Sequence, residues 1–133
     1  MSADAQIPLS ELVKLSATNY RLFTKSFFPK TVRQEPAPFH PEMWGHLEDP
    51  SKRFVNLVAY RDSAKTTLLR MFTGKRIAYN MSRTILYVGA SENHAIRNIR
   101  WLRSRIEEKR GAQGAKKKEL FASAFDLRPG VKW

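Results

Sequence analysis

The residues best suited to chemistry in this sequence are a lysine and a threonine that follow an apolar run. Lys65 and Thr66 close the octet AYRDSAKT, residues 59–66. Phosphate-binding loops have the pattern G-x-x-x-x-G-K-[ST] between a strand and a helix. Their backbone N–H groups and the helix N-terminus hold phosphate oxygens, the lysine reaches the outer phosphates, and the hydroxyl binds Mg²⁺. This octet keeps the lysine and the hydroxyl but has alanine at both glycine positions.

Spacing alone leaves two interpretations of the octet open. It is either a phosphate-binding loop or an ordinary strand-to-helix turn in which Lys65 is merely exposed. An alanine forced to positive φ would cost about 1–2 kcal/mol, which such a turn can tolerate. Asp62 would repel a triphosphate, so its carboxylate must point away, pair with a base such as Arg61 or lie near the metal.

The elements around the octet follow from apolar patterns. Residues 53–60 (RFVNLVAY) and 84–90 (TILYVGA) predict two buried parallel strands. Strand, turn, helix, strand, helix is the start of an α/β fold with a parallel sheet. Two strands alone do not make a stable sheet, so we expect the opening part of a larger domain. Helices are predicted over residues 8–29 with Ser10 as N-cap, over 40–49 with Pro41 at the start, from 65 to about 79 with a weak point at Gly74, and after the cap Ser91.

Charge points to a polyanion as partner. The 133 residues carry a net charge of +12, and residues 97–118 hold nine basic residues against two acidic ones. A basic surface of this kind favours nucleic acid. A solvated helix face followed by a solvated loop would explain the same run. The candidate nucleic-acid contacts are Arg97, Arg100, Arg103 and Arg105.

Several classes of protein are excluded by composition. The sequence has no cysteine, which excludes disulfides and thiolate metal sites and fits a reducing compartment. No apolar run approaches the roughly 18 residues of a membrane span, and the N-terminus does not read as a secretory signal. We therefore expect a soluble intracellular protein. The three histidines lack metal-ligand spacing, so a surface or packing role is expected for His40, His46 and His94.

At this point the sequence resembles the N-terminal ATPase domain of phage terminase large subunits, the motors that package DNA into procapsids. The loop of that family often reads APRGHAKST, and the corresponding stretch here is AYRDSAKTT. Tyr60 and Asp62 depart from the pattern, and Thr66 stands at the serine position. The upstream stretch PAPFHPEMWGHLE is similar to the family segment that helps frame the nucleotide. The positions that agree in the loop are Ala59, Arg61, Ala64, Lys65 and Thr67.

The resemblance implies a partial P-loop NTPase of the additional-strand, catalytic-glutamate type, an α/β fold with a parallel-sheet core. Residues 1–50 would be an N-terminal helical segment on the adenine side, and residues 51–133 the first part of the ATPase domain. The acidic strand motif and the nuclease domain of the family have no counterpart in this sequence. We therefore expect an incomplete domain.

The resemblance also implies ATP and Mg²⁺ as ligands. Lys65 would hold the outer phosphates and, with Arg61, act in catalysis, while Thr66 would bind Mg²⁺. Hydrolysis also needs a carboxylate that orients water, so the chain alone should hydrolyse ATP poorly. The residues implied to line the nucleotide are Arg61, Asp62, Ser63, Ala64, Lys65, Thr66 and Thr67.

The partners implied by the family are double-stranded DNA, the portal and the small terminase subunit. The full-length protein would form a homo-oligomeric ring, away from membranes, in the cytoplasm of an infected or lysogenic bacterial host. An alternative of another class is a small basic nucleic-acid-binding or adaptor protein that uses residues 97–118. A third is a different nucleotide-loop enzyme, such as a kinase or helicase relative.

Overall fold

The described part of the chain is mainly helical. The computed structural model describes residues 7–107, 109–110, 118–119 and 125. Among these residues, no helix combines the length and the apolar character that a membrane crossing requires. The described residues contain one small sheet, in which strand β1 (Lys109–Arg110) pairs antiparallel with strand β2 (Lys118–Glu119). The helices are α1 (Leu9–Ser16), α2 (Tyr20–Phe27), α3 (His40–Glu48), α4 (Lys65–Ala78) and α5 (Glu92–Ile106).

The predicted α/β fold with a parallel-sheet core is wrong. Residues 53–60 and 84–90, which were expected to be its strands, have no regular secondary structure. No backbone–backbone hydrogen bond involves either segment within the described residues. The apolar runs therefore lack the hydrogen-bonded neighbour that would make them strands of a P-loop sheet.

The same two segments expose apolar side chains that were expected to be buried. Phe54 and Val58 are 92% and 88% exposed, and Leu86 is 85% exposed. The alternating neighbours Leu57 and Tyr87 are partly buried. This period of two is that of extended chain, in which successive side chains point to opposite sides. One side of each segment faces the helices and the other faces solvent.

The N-terminal part of the described chain begins with two short helices. The single helix predicted over residues 8–29 is two helices, because the chain turns before Tyr20. Asn19 Oδ1 accepts a hydrogen bond from the Leu22 N–H at 3.0 Å, which starts the second helix. Ser10 lies inside α1, whose N-cap is Pro8. Helices α3, α4 and α5 begin where predicted, and Ser91 caps the last of them.

The core is a cluster of aromatic rings between α2, α4 and α5. The ring of Phe23 lies 5.4 Å from that of Phe27 and 5.8 Å from that of Phe28. Contacts of this tilted or edge-on kind add about 0.5–1.5 kcal/mol each beyond area burial. Trp101 of α5 stacks on Phe28 with 5.9 Å between ring centres. The other buried apolar residues in the described part of the chain are Tyr20, Met43, Leu68, Met71 and Leu102.

Gly74 allows α4 to approach this core closely. A Cβ at this position would lie 3.0 Å from Phe28 Cζ and 3.2 Å from Leu102 Cδ1. Glycine inside a helix costs about 1 kcal/mol relative to alanine, which is why it indicated a weak point in the sequence. The helix nevertheless continues through it, because the missing side chain makes room for its neighbours.

Gly74→Ala should destabilise the protein by about 1–3 kcal/mol, since overpacking outweighs the gain in helix propensity. Gly45→Ala in α3 is the matched control, because a Cβ there meets no atom within 4 Å. It should stabilise the protein by up to about 1 kcal/mol. Urea unfolding measures both, and two changes of the same sign and size would contradict the packing role of Gly74.

Candidate phosphate-binding site

Residues 59–66, called the Lys65 turn below, contain two residues with left-handed backbone conformation. Asp62 and Ala64 have positive φ angles of 66° and 63°, and Ser63 between them is buried. Turns that include left-handed residues form concave nests in which successive N–H groups converge. Ala64, at the second glycine position of the octet, is left-handed, and so is Asp62. Ala59, at the first glycine position, has a negative φ angle.

Helix α4 begins at this turn without a cap. Its N-cap residue Ala64 makes no side-chain capping hydrogen bond. The first N–H groups of a helix have no partner inside the helix and carry about half a positive charge together. The start of α4 therefore presents N–H groups that can donate hydrogen bonds to an anion.

Lys65 folds back over the turn. Its Nζ donates to the carbonyl oxygens of Ala59 at 2.5 Å and Tyr60 at 2.7 Å, and to Ser63 Oγ at 3.2 Å. An ammonium group has three donors, and all three are used here. The interpretation of Lys65 as merely exposed is wrong, because the side chain is half-buried and holds the turn together.

Helix α3 holds the turn from the other side. His40 Nε2 lies 2.9 Å from the carbonyl oxygen of Ser63, and His40 Nδ1 accepts a hydrogen bond from the Ala37 N–H at 3.0 Å. The ring of Phe39 meets that of Tyr60 edge-on at 5.7 Å. This role of His40 could not be predicted from the sequence, because 23 residues separate it from Ser63 and no spacing rule links them.

A buried ion pair fixes the far end of α3 on α4. The ammonium of Lys75, which is fully buried, donates to both carboxylate oxygens of Glu48 at 2.9 and 2.8 Å. It also lies 5.7 Å from the ring centre of Tyr20. Burial raises the pKa of Tyr20, and the charge of Glu48 adds to that rise. The neutral phenol donates to the carbonyl oxygen of Leu68 at 2.8 Å, so α2, α3 and α4 meet at this point.

A cavity of about 400 Å³ opens beside the Lys65 turn. Its volume falls within the range of small-molecule sites. Ala64 and Thr67 line it on the side of the turn, and the aromatic rings of Tyr20 and Trp44 line it on the side of α2 and α3. A ligand whose charged end meets the turn could therefore place an apolar, planar part in the cavity.

The structure brings together part of the predicted nucleotide set. Ser63, Ala64 and Lys65 form the body of the turn, and Thr67 lines the cavity. Arg61 and Thr66 are exposed at its edge. Asp62 is exposed as well, and no salt bridge joins it to Arg61 in the described part of the chain.

The four predicted arginines of α5 differ in their exposure and in their contacts. Arg103 Nε donates to Glu107 at 2.9 Å, and Arg105 lies over the ring of Trp101 at 5.4 Å. Arg97 and Arg100 are exposed one helical turn apart. Of the four, Arg97 and Arg100 are the ones that are exposed and have no ion pair among the described residues.

No family model, no curated protein and no solved structure matches this chain. The resemblance to terminase large subunits accordingly rests on the residues quoted above, and the geometry of the Lys65 turn has to be interpreted from its own contacts.

Proposed function

We propose that this chain binds ATP with Mg²⁺ at the Lys65 turn, as the ATP-binding part of a large terminase subunit, the motor that packages viral double-stranded DNA. The observation that carries the proposal is a half-buried lysine at the start of an uncapped helix, closing a turn with two left-handed residues. Each of these features is local. The Lys65 turn is held by α3 and α4, so its shape does not depend on the parallel sheet that the described residues lack.

Binding would exchange the partners of Lys65. Its ammonium bonds two backbone carbonyls and a hydroxyl, and phosphate oxygens would replace them. The exchange is favourable because a phosphate oxygen carries net negative charge and a backbone carbonyl only a dipole, so the Coulomb attraction of the ammonium to the phosphate is stronger. Thr66, exposed in the first turn of α4, would supply its hydroxyl to Mg²⁺. Arg61 would add positive charge at the edge of the turn.

The base and sugar would occupy the cavity between the turn and α2. Ala64 and Thr67 connect the cavity to the turn, and a planar base would pack against the half-buried Trp44, with the buried Tyr20 behind it. The upstream segment that contains Trp44 is the one whose sequence resembles the nucleotide-framing segment of terminases. The cavity and the resemblance thus support the same placement of the nucleotide.

Hydrolysis is not expected of this site by itself. It needs a carboxylate that orients the attacking water, and Asp62 of the turn is exposed to solvent. The proposal therefore claims binding and leaves turnover to the complete motor. It carries with it the partners and location of that motor: DNA, the portal, the small subunit, a homo-oligomeric ring and the cytoplasm of an infected or lysogenic bacterial host.

A second candidate is a small basic nucleic-acid-binding or adaptor protein. The observation that favours it is the pair of exposed arginines on α5, Arg97 and Arg100, in a chain of net charge +12. Two guanidinium groups one turn apart can contact successive phosphates without reading sequence. This function needs neither the Lys65 turn nor the cavity.

Lys65→Met should weaken binding of Mg²⁺–ATP by about 10- to 100-fold, because it removes a charged donor from the phosphates. Isothermal titration calorimetry measures the affinity, and circular dichroism checks that the helices remain. Lys14→Met is the matched control, since Lys14 is exposed on α1 and away from the turn. Equal affinity of the Lys65 variant and the parent chain, or no binding by the parent chain, would contradict the ATP proposal.

Arg97→Gln with Arg100→Gln should flatten the dependence of DNA affinity on salt if the second candidate is correct. Each lost phosphate contact should change the logarithmic slope by about 0.9. Arg103→Gln, whose side chain is paired with Glu107, should change it less. DNA affinity that depends on Lys65 and not on Arg97 and Arg100 would speak against this candidate.

A further inference from the structure

The hydrogen bonds of His40 define its tautomer. Nδ1 accepts from the Ala37 N–H, so it carries no proton. The proton is then on Nε2, which donates to the carbonyl oxygen of Ser63 at 2.9 Å. The two contacts therefore select one tautomer, with each ring nitrogen committed to a backbone group.

The bond to Ser63 sets the direction of a peptide in the Lys65 turn. None of the described peptide bonds is cis, and a trans peptide points its N–H opposite to its C=O. Because the Ser63 carbonyl points at His40, the Ala64 N–H points away from it. That N–H immediately precedes the uncapped first turn of α4.

The bond also offsets two costs in the turn. Ser63 is 2% exposed, and a buried carbonyl without a partner loses its hydration without compensation. Ala64 is left-handed, a conformation that persists in residues other than glycine only where neighbours enforce it. His40 supplies the partner and holds the peptide that precedes Ala64.

We infer that His40 is a positioning residue: as the Nε2–H tautomer it orients the peptide between Ser63 and Ala64, so that the Ala64 N–H faces the phosphates of a bound nucleotide. This inference rests on the proposed ATP site and adds to it a residue outside the loop motif. His40 itself need not touch a phosphate. Its contribution passes through the backbone of the turn.

The test uses two amide variants of the full chain. In His40→Gln the amide nitrogen can still reach the Ser63 carbonyl and donate to it. In His40→Asn the side chain can still accept from the Ala37 N–H but is too short to donate to Ser63. The control is His46→Asn, because His46 lies on the same helix, facing Glu42 and Lys52. The readouts are the affinity for Mg²⁺–ATP, the amide resonance of Ala64 without ligand and the urea midpoint.

His40→Asn should weaken Mg²⁺–ATP binding by about tenfold, the loss of one net hydrogen bond. His40→Gln should restore affinity to within about twofold to threefold of the parent chain, and His46→Asn should leave it unchanged. The Ala64 amide resonance should move in His40→Asn and return towards the parent position in His40→Gln. A purely structural role would lower the urea midpoint of both variants without this rescue.

The outcomes separate the inference from the proposed function. If the parent chain binds Mg²⁺–ATP and His40→Asn binds equally well, the inference is wrong and the ATP site stands. An Ala64 resonance that stays in place in His40→Asn would overturn the inference without any ligand. If the parent chain does not bind Mg²⁺–ATP, the ATP site fails, and the claim that Ala64 faces a nucleotide fails with it.

Discussion

The packing of α3 against α4 is the constraint on which the candidate site depends. The two helices are joined at both ends, by the ion pair of Glu48 with Lys75 and by the bond of His40 to Ser63. A buried ammonium left without its carboxylate costs several kcal/mol, so the first contact keeps the helices together. The second contact then falls on the turn that starts α4. Because both ends of α3 are held in this way, the side of the cavity that Trp44 of α3 lines is fixed relative to the turn.

The starts of α3 and α5 were predictable from sequence because their signals are local. Pro41 lies in the first turn of α3, and Ser91 accepts a hydrogen bond from the start of α5. The parallel sheet could not be predicted in this way. Apolar runs such as residues 53–60 indicate extended chain, but a strand also requires a neighbour, and no pattern within the run names one. The structure keeps the extended chain and leaves Phe54 and Val58 in solvent.

The turn at Lys65 was predictable from the sequence, but the contacts that support it were not. The spacing of Lys65 and Thr66 pointed to the turn, and the left-handed conformation of Ala64 agrees with its place at a glycine position of the pattern. The role of His40 depends on a contact across 23 residues, which helix packing creates and residue spacing cannot show. The pairing of Arg103 with Glu107 follows the i,i+4 spacing that sequence can show.

The central claim is that the amides around Lys65 form a cradle for the phosphates of ATP. A crystal structure of the chain with Mg²⁺ and a non-hydrolysable ATP analogue tests it most directly. The account predicts phosphate oxygens within hydrogen-bond distance of the N–H groups of Ala64 and Lys65, with Lys65 Nζ moved from the carbonyl of Ala59 to a phosphate. An analogue bound along α5, or a turn that keeps the Lys65 contacts and holds no phosphate at saturating nucleotide, would contradict it.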